Sequence, residues 1–419
     1  MFISHGLNKP AGSALRAATA VALAVTVLVS AGCGSESDAA GTLPEIDLSK
    51  LDTGGYETKP RDPAPLNPVA AAHNLEALRL AEVMPLPKDI DSALIHGSGR
   101  AKSYTNLASL SPAVDLSWFE EENFDSDTAG LIGGFYTTAQ SNPSDGLSYA
   151  LTNNVMIFDS DNSAAAAANA LSRSGFSSPD LDHDSNRTPP VETTSLRFPA
   201  AKVLWKPNNQ VLASWYATGR FVISTLVRNE ENFQLRISDL PGLLALSDKA
   251  ITVTMDRLSK FVPTPPNALT SLALDPTGMV RITLPIAPRE AQESSFNGVL
   301  SATAELHRRP DQDKARALFD RTGVDNISYG AGMLVRTRDA TAAETYIDEV
   351  SINKFRVRID PPQELPTARC FKYHGPSWSV WAFDCYVSVG RYAAYTRADQ
   401  VQETYQQISA QYAILANDK

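Results

Sequence analysis

The chain has 419 residues, of which 43% are hydrophobic, with 37 basic and 47 acidic residues and a formal net charge of −10. This length can bury a sizeable core and indicates two domains. No basic tract is present, so the composition argues against nucleic acid as a partner and against electrostatic capture by anionic lipid.

The first 32 residues have the organisation of a signal peptide. Lys9 and Arg16 are followed by an apolar run over residues 17–29, and no acidic residue interrupts it. A transmembrane helix needs about 20 apolar residues, so this run is too short to span a membrane comfortably. We therefore predict that residues 1–32 are removed, which leaves 35 basic against 47 acidic residues.

The residues Ser30-Ala31-Gly32 stand directly before Cys33. Small residues followed by a cysteine resemble the lipobox of bacterial lipoproteins, in which the thiol receives a diacylglyceryl group. Ser30 departs from that pattern, because Leu or Val usually stands there. We predict lipidation of Cys33 and anchoring to the extracytoplasmic face of the cell membrane. The alternative is a secreted protein that is cut nearby and keeps a free thiol.

Residues 33–65 are rich in Ser, Asp, Gly, Thr and Pro, which predicts a flexible tether. The N-terminal domain is predicted over 66–262. Its first helix starts at Asn67-Pro68, an N-cap followed by proline, and continues to about Val83. The Pro-rich residues 262–266 predict a boundary, after which the C-terminal domain occupies 267–419.

Two parts of the chain repeat the same order of elements. In the first, residues 147–150 lead into an apolar strand at 155–158, and residues 159–163 cap a helix that ends near Gly175. In the second, residues 327–330 lead into a strand at 333–335, and Asp339 with Thr341-x-x-Glu344 opens a helix through Val350.

A second phrase also recurs, since residues 215–221 match residues 385–392 with one insertion, and both contain a Gly-Arg hairpin turn. A final helix follows each copy, at about 243–261 and 398–417. In the last helix, apolar residues recur at 401, 405, 408, 412 and 415, as a buried face requires. We predict an α+β fold of two duplicated domains, each an antiparallel sheet with helices packed on one face.

Cys370 and Cys385 are predicted to form a structural disulfide, because disulfides persist in exported proteins. They flank a predicted hairpin turn at 374–377. The 14 residues between them fit neither a C-x-x-C redox motif nor a zinc site.

The sequence contains no G-x-S-x-G elbow, H-E-x-x-H motif, P-loop or G-x-G-x-x-G motif. Ser98 beside His96 is the nearest candidate nucleophile, although a Gly-Ser-Gly phrase is typical of a loop. The acidic residues 180–186 resemble the start of a calcium loop but lack its glycine and final glutamate, which favours a solvated loop. We expect no metal and no cofactor.

Arg220 and Arg391 follow the two hairpin glycines. One hypothesis is that they point into a shared cleft and bind an anion. The alternative is that each lies on the polar face of its sheet or pairs with a carboxylate.

Several phrases together are similar to a family of actinobacterial lipoproteins found in mycobacteria, nocardiae and rhodococci. They are LDTGGYETKPR at 51–61, LEALRLAEVM at 75–84, LDPTGM at 274–279, CYVSVGRY at 385–392 and AQYAIL at 410–415. The family has separate N- and C-terminal domains of unknown function. The resemblance covers most of the mature chain and implies a location in the cell envelope and a two-part fold, but no activity.

The sequence therefore predicts a non-catalytic binding or interaction module of the cell envelope. Its partner, besides the membrane, would be a lipid, a glycan or another envelope protein, in a cleft between two similar domains. The alternative is a hydrolase of lipid or cell-wall esters whose catalytic groups meet only in the folded chain.

Overall fold

The computed structural model describes residues 46–62, 67–106, 119, 121–176, 189–286, 298–376 and 381–418. Residues 46–419 form one compact unit. Cys33 and the acidic residues 180–186 lie outside the described residues. Among the described helices, none combines the length and apolar character needed to cross a bilayer.

The N-terminal half contains six helices and eight strands in its described residues. They are α1 (Pro68–Val83), α2 (Pro87–Ile90), β1 (His96–Gly97), β2 (Lys102–Tyr104), α3 (Phe124–Asp127), β3 (Leu131–Gln140), β4 (Tyr149–Phe158), α4 (Asp161–Ser174), β5 (Val191–Thr193), β6 (Lys202–Lys206), β7 (Val211–Thr218), β8 (Phe221–Asn229), α5 (Glu230–Leu235) and α6 (Leu240–Leu258).

The C-terminal half contains four helices and seven strands in the part that the structure describes. They are β9 (Gly298–Ser301), α7 (Ala302–Glu305), α8 (Gln312–Thr322), β10 (Asn326–Tyr329), β11 (Gly332–Arg336), α9 (Ala340–Ser351), β12 (Arg356–Ile359), β13 (Arg369–Tyr373), β14 (Phe383–Val389), β15 (Tyr392–Ala398) and α10 (Val401–Ala416).

The two sheets have the same strand order. The first runs β1-β3-β4-β8-β7-β6-β5, with β2 also paired to β3, and the second runs β9-β10-β11-β15-β14-β13-β12. Neighbouring strands are antiparallel in both. In each half, two hairpins therefore form the centre of the sheet. They are β3–β4 and β7–β8 in the first half, and β10–β11 and β14–β15 in the second. The predicted antiparallel α+β fold with two domains is confirmed.

Helices cover both faces of each sheet, not one face as predicted. Met156 and Phe158 on β4 pack in one cluster with α4, whereas the alternating Val155 and Ile157 pack in another with α1 and α6. In the second sheet, Val387 packs with α10 and the adjacent Tyr386 with α9. Successive side chains of a strand point to opposite faces of the sheet, so β4 and β14 each bury side chains on both faces.

The predicted match between residues 147–150 and residues 327–330 is wrong. Residues 149–158 form the single strand β4, and the counterpart of β10 in sheet order is β3. Polar residues continue through the centre of β4 because they are paired inside the core: the Asn153 side-chain amide donates to Thr254 Oγ1 (2.9 Å), and the Asn154 amide donates to Ser224 Oγ (2.9 Å).

The described residues 46–62, predicted as flexible tether, pack along α10, and we call them the strap. Leu51 is buried in the core cluster of the C-terminal half. The Gln402 amide donates to Asp52 Oδ2 (2.6 Å), and the Asn417 amide donates to the Thr58 carbonyl (2.9 Å). Seventeen of the residues predicted as tether, 46–62, therefore belong to the folded unit.

The predicted disulfide between Cys370 and Cys385 is confirmed. The two cysteines lie directly opposite each other on β13 and β14, and both side chains are buried. The bond therefore links neighbouring strands of the second sheet.

Candidate functional site

The cleft predicted between the two halves is filled by side chains. After β9, the chain passes through α7 and a 3₁₀ turn at Leu306–Arg308. Leu300 and Ala304 belong to a core cluster built mainly by the N-terminal half. The imidazole of His307 lies edge-on to Phe135 of β3, with ring centroids 5.4 Å apart. Among the described residues, the junction is therefore closed where Leu300, Ala304 and His307 pack on the first half.

A buried ionic cluster lies at this junction. Glu305 is 1% exposed, and its Oε1 is 2.9 Å from Arg309 Nε and accepts a hydrogen bond from the Tyr329 hydroxyl (2.5 Å). Arg308 lies 3.9 Å from the other carboxylate oxygen and 4.6 Å above the Tyr329 ring. Removing one partner of such a cluster leaves an uncompensated buried charge, so the cluster stabilises the C-terminal half where it meets the N-terminal half. Arg308 crosses between the halves, since its guanidinium donates to the Ala101 carbonyl (3.4 Å).

Two further titratable groups reach this junction. Burial, and then the nearby Arg308, lowers the pKa of Lys102 to about 8. Burial lowers the pKa of His307 to about 4, and hydrogen bonds to the backbone of Ala81 and Met84 at the end of α1 only partly offset it. The His307 ring is therefore neutral at pH 7.

The edge of the first sheet is extended by the second half. The Gly97 amide donates to the Pro310 carbonyl (3.0 Å), and His96 forms an antiparallel β-bridge with Asp311. A Cβ on Gly97 would lie 2.7 Å from the Arg309 carbonyl oxygen, so this close approach requires glycine.

A cavity of about 140 Å³ lies beside this contact. Its lining comes from both halves: Lys88, Ile95, His96, Pro310, Asp311, Gln312 and Asp313. A more open groove of about 290 Å³ adjoins it and shares His96 and Pro310. We call the first of these the junction cavity.

Gln312 is the unusual member of the junction cavity. It is 2% exposed, and neither its Oε1 nor its Nε2 has a hydrogen-bond partner in the protein. Buried polar atoms are nearly always paired, so an amide with both ends unpaired calls for a ligand or water. It is the first residue of α8, whose N-cap Asp311 accepts a hydrogen bond from the Lys314 amide (3.0 Å).

The charges around Gln312 nearly balance. Lys88 of α2 forms an ion pair with Asp313 across the junction. The Asp311 carboxylate caps α8, and the His96 imidazole completes the polar lining. The cavity therefore offers hydrogen-bond donors and acceptors together without a strong net charge.

The structure places Arg220 and Arg391 at equivalent positions in different sheets. Arg220 Nε donates to the Phe158 carbonyl (2.7 Å) at the end of β4, and Arg391 Nε donates to the Thr337 carbonyl (2.8 Å) just after β11. Arg391 also lies 3.5 Å from the Asp325 carboxylate. Each guanidinium is thus held by groups of its own half. This arrangement is closer to the alternative, in which each arginine has a structural role in its own sheet, than to a shared anion site.

The candidate nucleophile Ser98 is exposed, and its Oγ accepts a hydrogen bond from the Arg100 amide (3.2 Å). In the described ranges, no group of three or more metal-ligating side chains occurs.

Comparison with known proteins assigns the chain to a family. Residues 65–274 match the N-terminal domain of unknown function DUF7373, and residues 279–418 match its C-terminal domain. The chain belongs to the DUF7373 family. The two matched segments correspond to the two sheets.

Among solved structures, the chain is similar to the extracellular domain of PknH from Mycobacterium tuberculosis. The identity is 10% and the TM-score 0.28, over 43% of this chain and 96% of that domain. Among curated proteins, none matches the chain significantly.

Proposed function

We propose that this protein is a non-catalytic binding module of the cell envelope, anchored through a lipid on Cys33, which binds a small hydroxyl-rich molecule in the junction cavity. The observation that carries the proposal is the buried, unpaired amide of Gln312. The signal-like N-terminus and the Cys370–Cys385 disulfide support an extracytoplasmic location, where disulfides persist.

The chemistry of the lining favours hydroxyl groups. A hydroxyl donates one hydrogen bond and accepts others, so hydroxyl groups can pair with an amide, a carboxylate or an imidazole of this lining. Ile95 and Pro310 supply apolar walls for carbon atoms. A volume of about 140 Å³ is roughly four to five times the share of one water, enough for a polyol or a single sugar ring.

The ester-hydrolase alternative lacks support from the described residues. A serine or cysteine nucleophile needs a base within hydrogen-bond reach, with a third group orienting that base. Ser98 and His96 share the open groove beside the junction cavity, where the Ser98 Oγ accepts the Arg100 amide.

The test compares the chain from residue 33, carrying Cys33→Ser, with its Gln312→Leu variant. Both are purified from an envelope and measured by native mass spectrometry, followed by organic extraction. The protein with Gln312 should carry a stoichiometric hydroxyl-rich compound that the variant lacks. The matched control is Gln234→Leu, which removes an exposed amide.

A second readout uses glycerol and D-glucose as probes in thermal unfolding. They should raise the Tm of the protein with Gln312 and of the Gln234→Leu control by more than that of Gln312→Leu, since polyols stabilise any folded protein to some extent. Without ligand, Gln312→Leu should stabilise the fold by about 1 kcal/mol, because no hydrogen bond is lost and an unpaired amide is removed. An unliganded mass together with equal Tm shifts for all three proteins would overturn the proposal.

A further inference from the structure

One end of the second sheet gathers exposed aromatic and basic side chains. At this end β12 and β14 begin and β13 and β15 finish, with Lys372 opposite Phe383 and Phe383 opposite Ala398. We call it the sheet tip. Its members are Lys354, Phe355, Val357, Lys372, Tyr373, Trp381, Phe383 and Arg397.

The apolar side chains of the sheet tip are unusually exposed. Trp381 is 46% exposed, Val357 is 55% exposed and Phe355 is 36% exposed. Tryptophan and phenylalanine at a surface are typical of regions that contact a lipid headgroup layer.

Two exposed rings of the sheet tip, Phe355 and Trp381, and the half-buried ring of Phe383 each have a cation beside them. Lys354 Nζ lies 4.8 Å from the centre of the Phe355 ring, and Lys372 Nζ lies 5.8 Å from that of Phe383. The Arg397 guanidinium lies 5.8 Å from the Trp381 ring. These three cations are exposed, and Asp399 is the exposed acidic residue that follows β15 at this end.

This local charge is opposite to that of the whole chain, which is −10. The cations are too far apart in sequence to form a basic tract, so composition indicated no attraction to anionic lipid. The antiparallel pairing of β12 to β15 brings them to one end. The result is a small cationic and aromatic surface complementary to an anionic bilayer.

The strap runs toward the same end of the second sheet. Thr58 lies beside Asn417 at the C-terminal end of α10, whereas Asp52 lies beside Gln402 in its first turn. From Thr58 back to Asp52, the chain therefore runs to the end of α10 that adjoins β15. Cys33 precedes Ile46 by 13 residues, a reach of at most about 45 Å.

We propose that the sheet tip docks on an anionic phospholipid bilayer, with its aromatic side chains in the headgroup layer and Lys354, Lys372 and Arg397 against the phosphates. This inference is independent of the junction cavity. It needs only the sheet tip and the direction of the strap, and it holds whether or not the cavity binds a ligand.

The experiment is flotation of the chain from residue 33, carrying Cys33→Ser, with two kinds of vesicle at low salt. One kind is phosphatidylcholine alone, and the other contains about one third phosphatidylglycerol. The protein should float only with the anionic vesicles. The double variant Lys354→Gln with Lys372→Gln should lower the partition coefficient about tenfold, and Trp381→Ser should lower it severalfold.

The matched controls lie in the N-terminal half, where Lys202→Gln with Lys260→Gln removes two exposed charges and Leu196→Ser removes a side chain that is 96% exposed. Both should float like the unmodified protein. Hydrogen exchange on vesicles should show protection in peptides from the sheet tip. Equal flotation with neutral and anionic vesicles, no flotation, or protection confined to the N-terminal half would overturn the proposal.

Discussion

The two halves share one strand order but are stabilised differently. In the first half, β3 and β4 have ten residues each, and hydroxyl and amide groups pair across their buried centre. In the second half, β9 to β12 have four or five residues. That half adds the Cys370–Cys385 bond and the strap over α10. A duplicated fold thus keeps its topology while long strands in one copy are replaced by a cross-link and an added segment in the other.

Removing the disulfide should test this difference most strongly. The variant Cys370→Ala with Cys385→Ala should lower the free energy of unfolding by about 3 kcal/mol. The reason is that the unfolded chain regains the conformational entropy that the bond removes by closing a loop of about 15 residues. Urea unfolding measures the loss, and hydrogen exchange locates it. Cys33→Ser is the control. Exchange rising first in β3 and β4 would contradict the comparison.

The junction between the halves should weaken in acid because of His307. Its pKa is lowered to about 4 in the folded protein, so the unfolded chain takes up the proton first as the pH falls below about 6.5. Its contribution is therefore complete above pH 6.5 and is lost progressively toward pH 4, by roughly 2–3 kcal/mol.

His307→Leu should flatten this part of the stability profile, measured by urea unfolding at pH 7, 6, 5 and 4. His374→Leu, at an exposed histidine of the same half, should leave the slope unchanged. Identical slopes for the unmodified protein and His307→Leu would show that the junction is not closed around a neutral imidazole.

Substitution of the two hairpin arginines, Arg220 and Arg391, should have the smallest effect on stability. Arg220→Met and Arg391→Met should each lower the free energy of unfolding by about 1 kcal/mol, since each removes a hydrogen bond from a partly exposed cation to a carbonyl. The double variant should lose the sum, because the residues lie in different sheets. A marked departure from additivity would restore the hypothesis that they share one site.

Local signals predicted the five longest helices of the described residues and two of the hairpins. Asn67 accepts the Ala70 amide and Asp339 accepts the Ala342 amide, as expected of N-caps, and α1, α4, α9 and α10 all occur within a few residues of the predicted positions. Such signals depend on groups a few residues apart, which a single sequence contains in full.

Strand β3 could not be predicted, because its pattern depends on a distant ring. A Cβ on Gly134 would lie 2.4 Å from Tyr104 Cζ, so a glycine that resembles a turn signal instead makes room for an aromatic side chain. Polar residues such as Thr137 are buried in the same strand. Tertiary packing, not local propensity, determines these positions.

The junction cavity was equally hidden in the sequence. His96 was noted as part of a glycine-rich loop, but Gln312 resembles any polar residue in the first turn of a helix. Its importance depends on burial by residues more than 200 positions away. The strap was misassigned for a related reason, since its polar composition concealed Leu51 and the hydrogen bonds of Asp52 to α10.

The strap also determines when the protein can be completed. Its residues leave the ribosome long before the helix that receives them, because Asp52 and Gln402 are separated by 350 positions. An emerging chain therefore keeps this segment undocked until α10 has been made, and non-local contacts of this kind form slowly. A product truncated before α10 leaves Leu51 without its partner surface, so quality-control proteases can distinguish it from the finished chain.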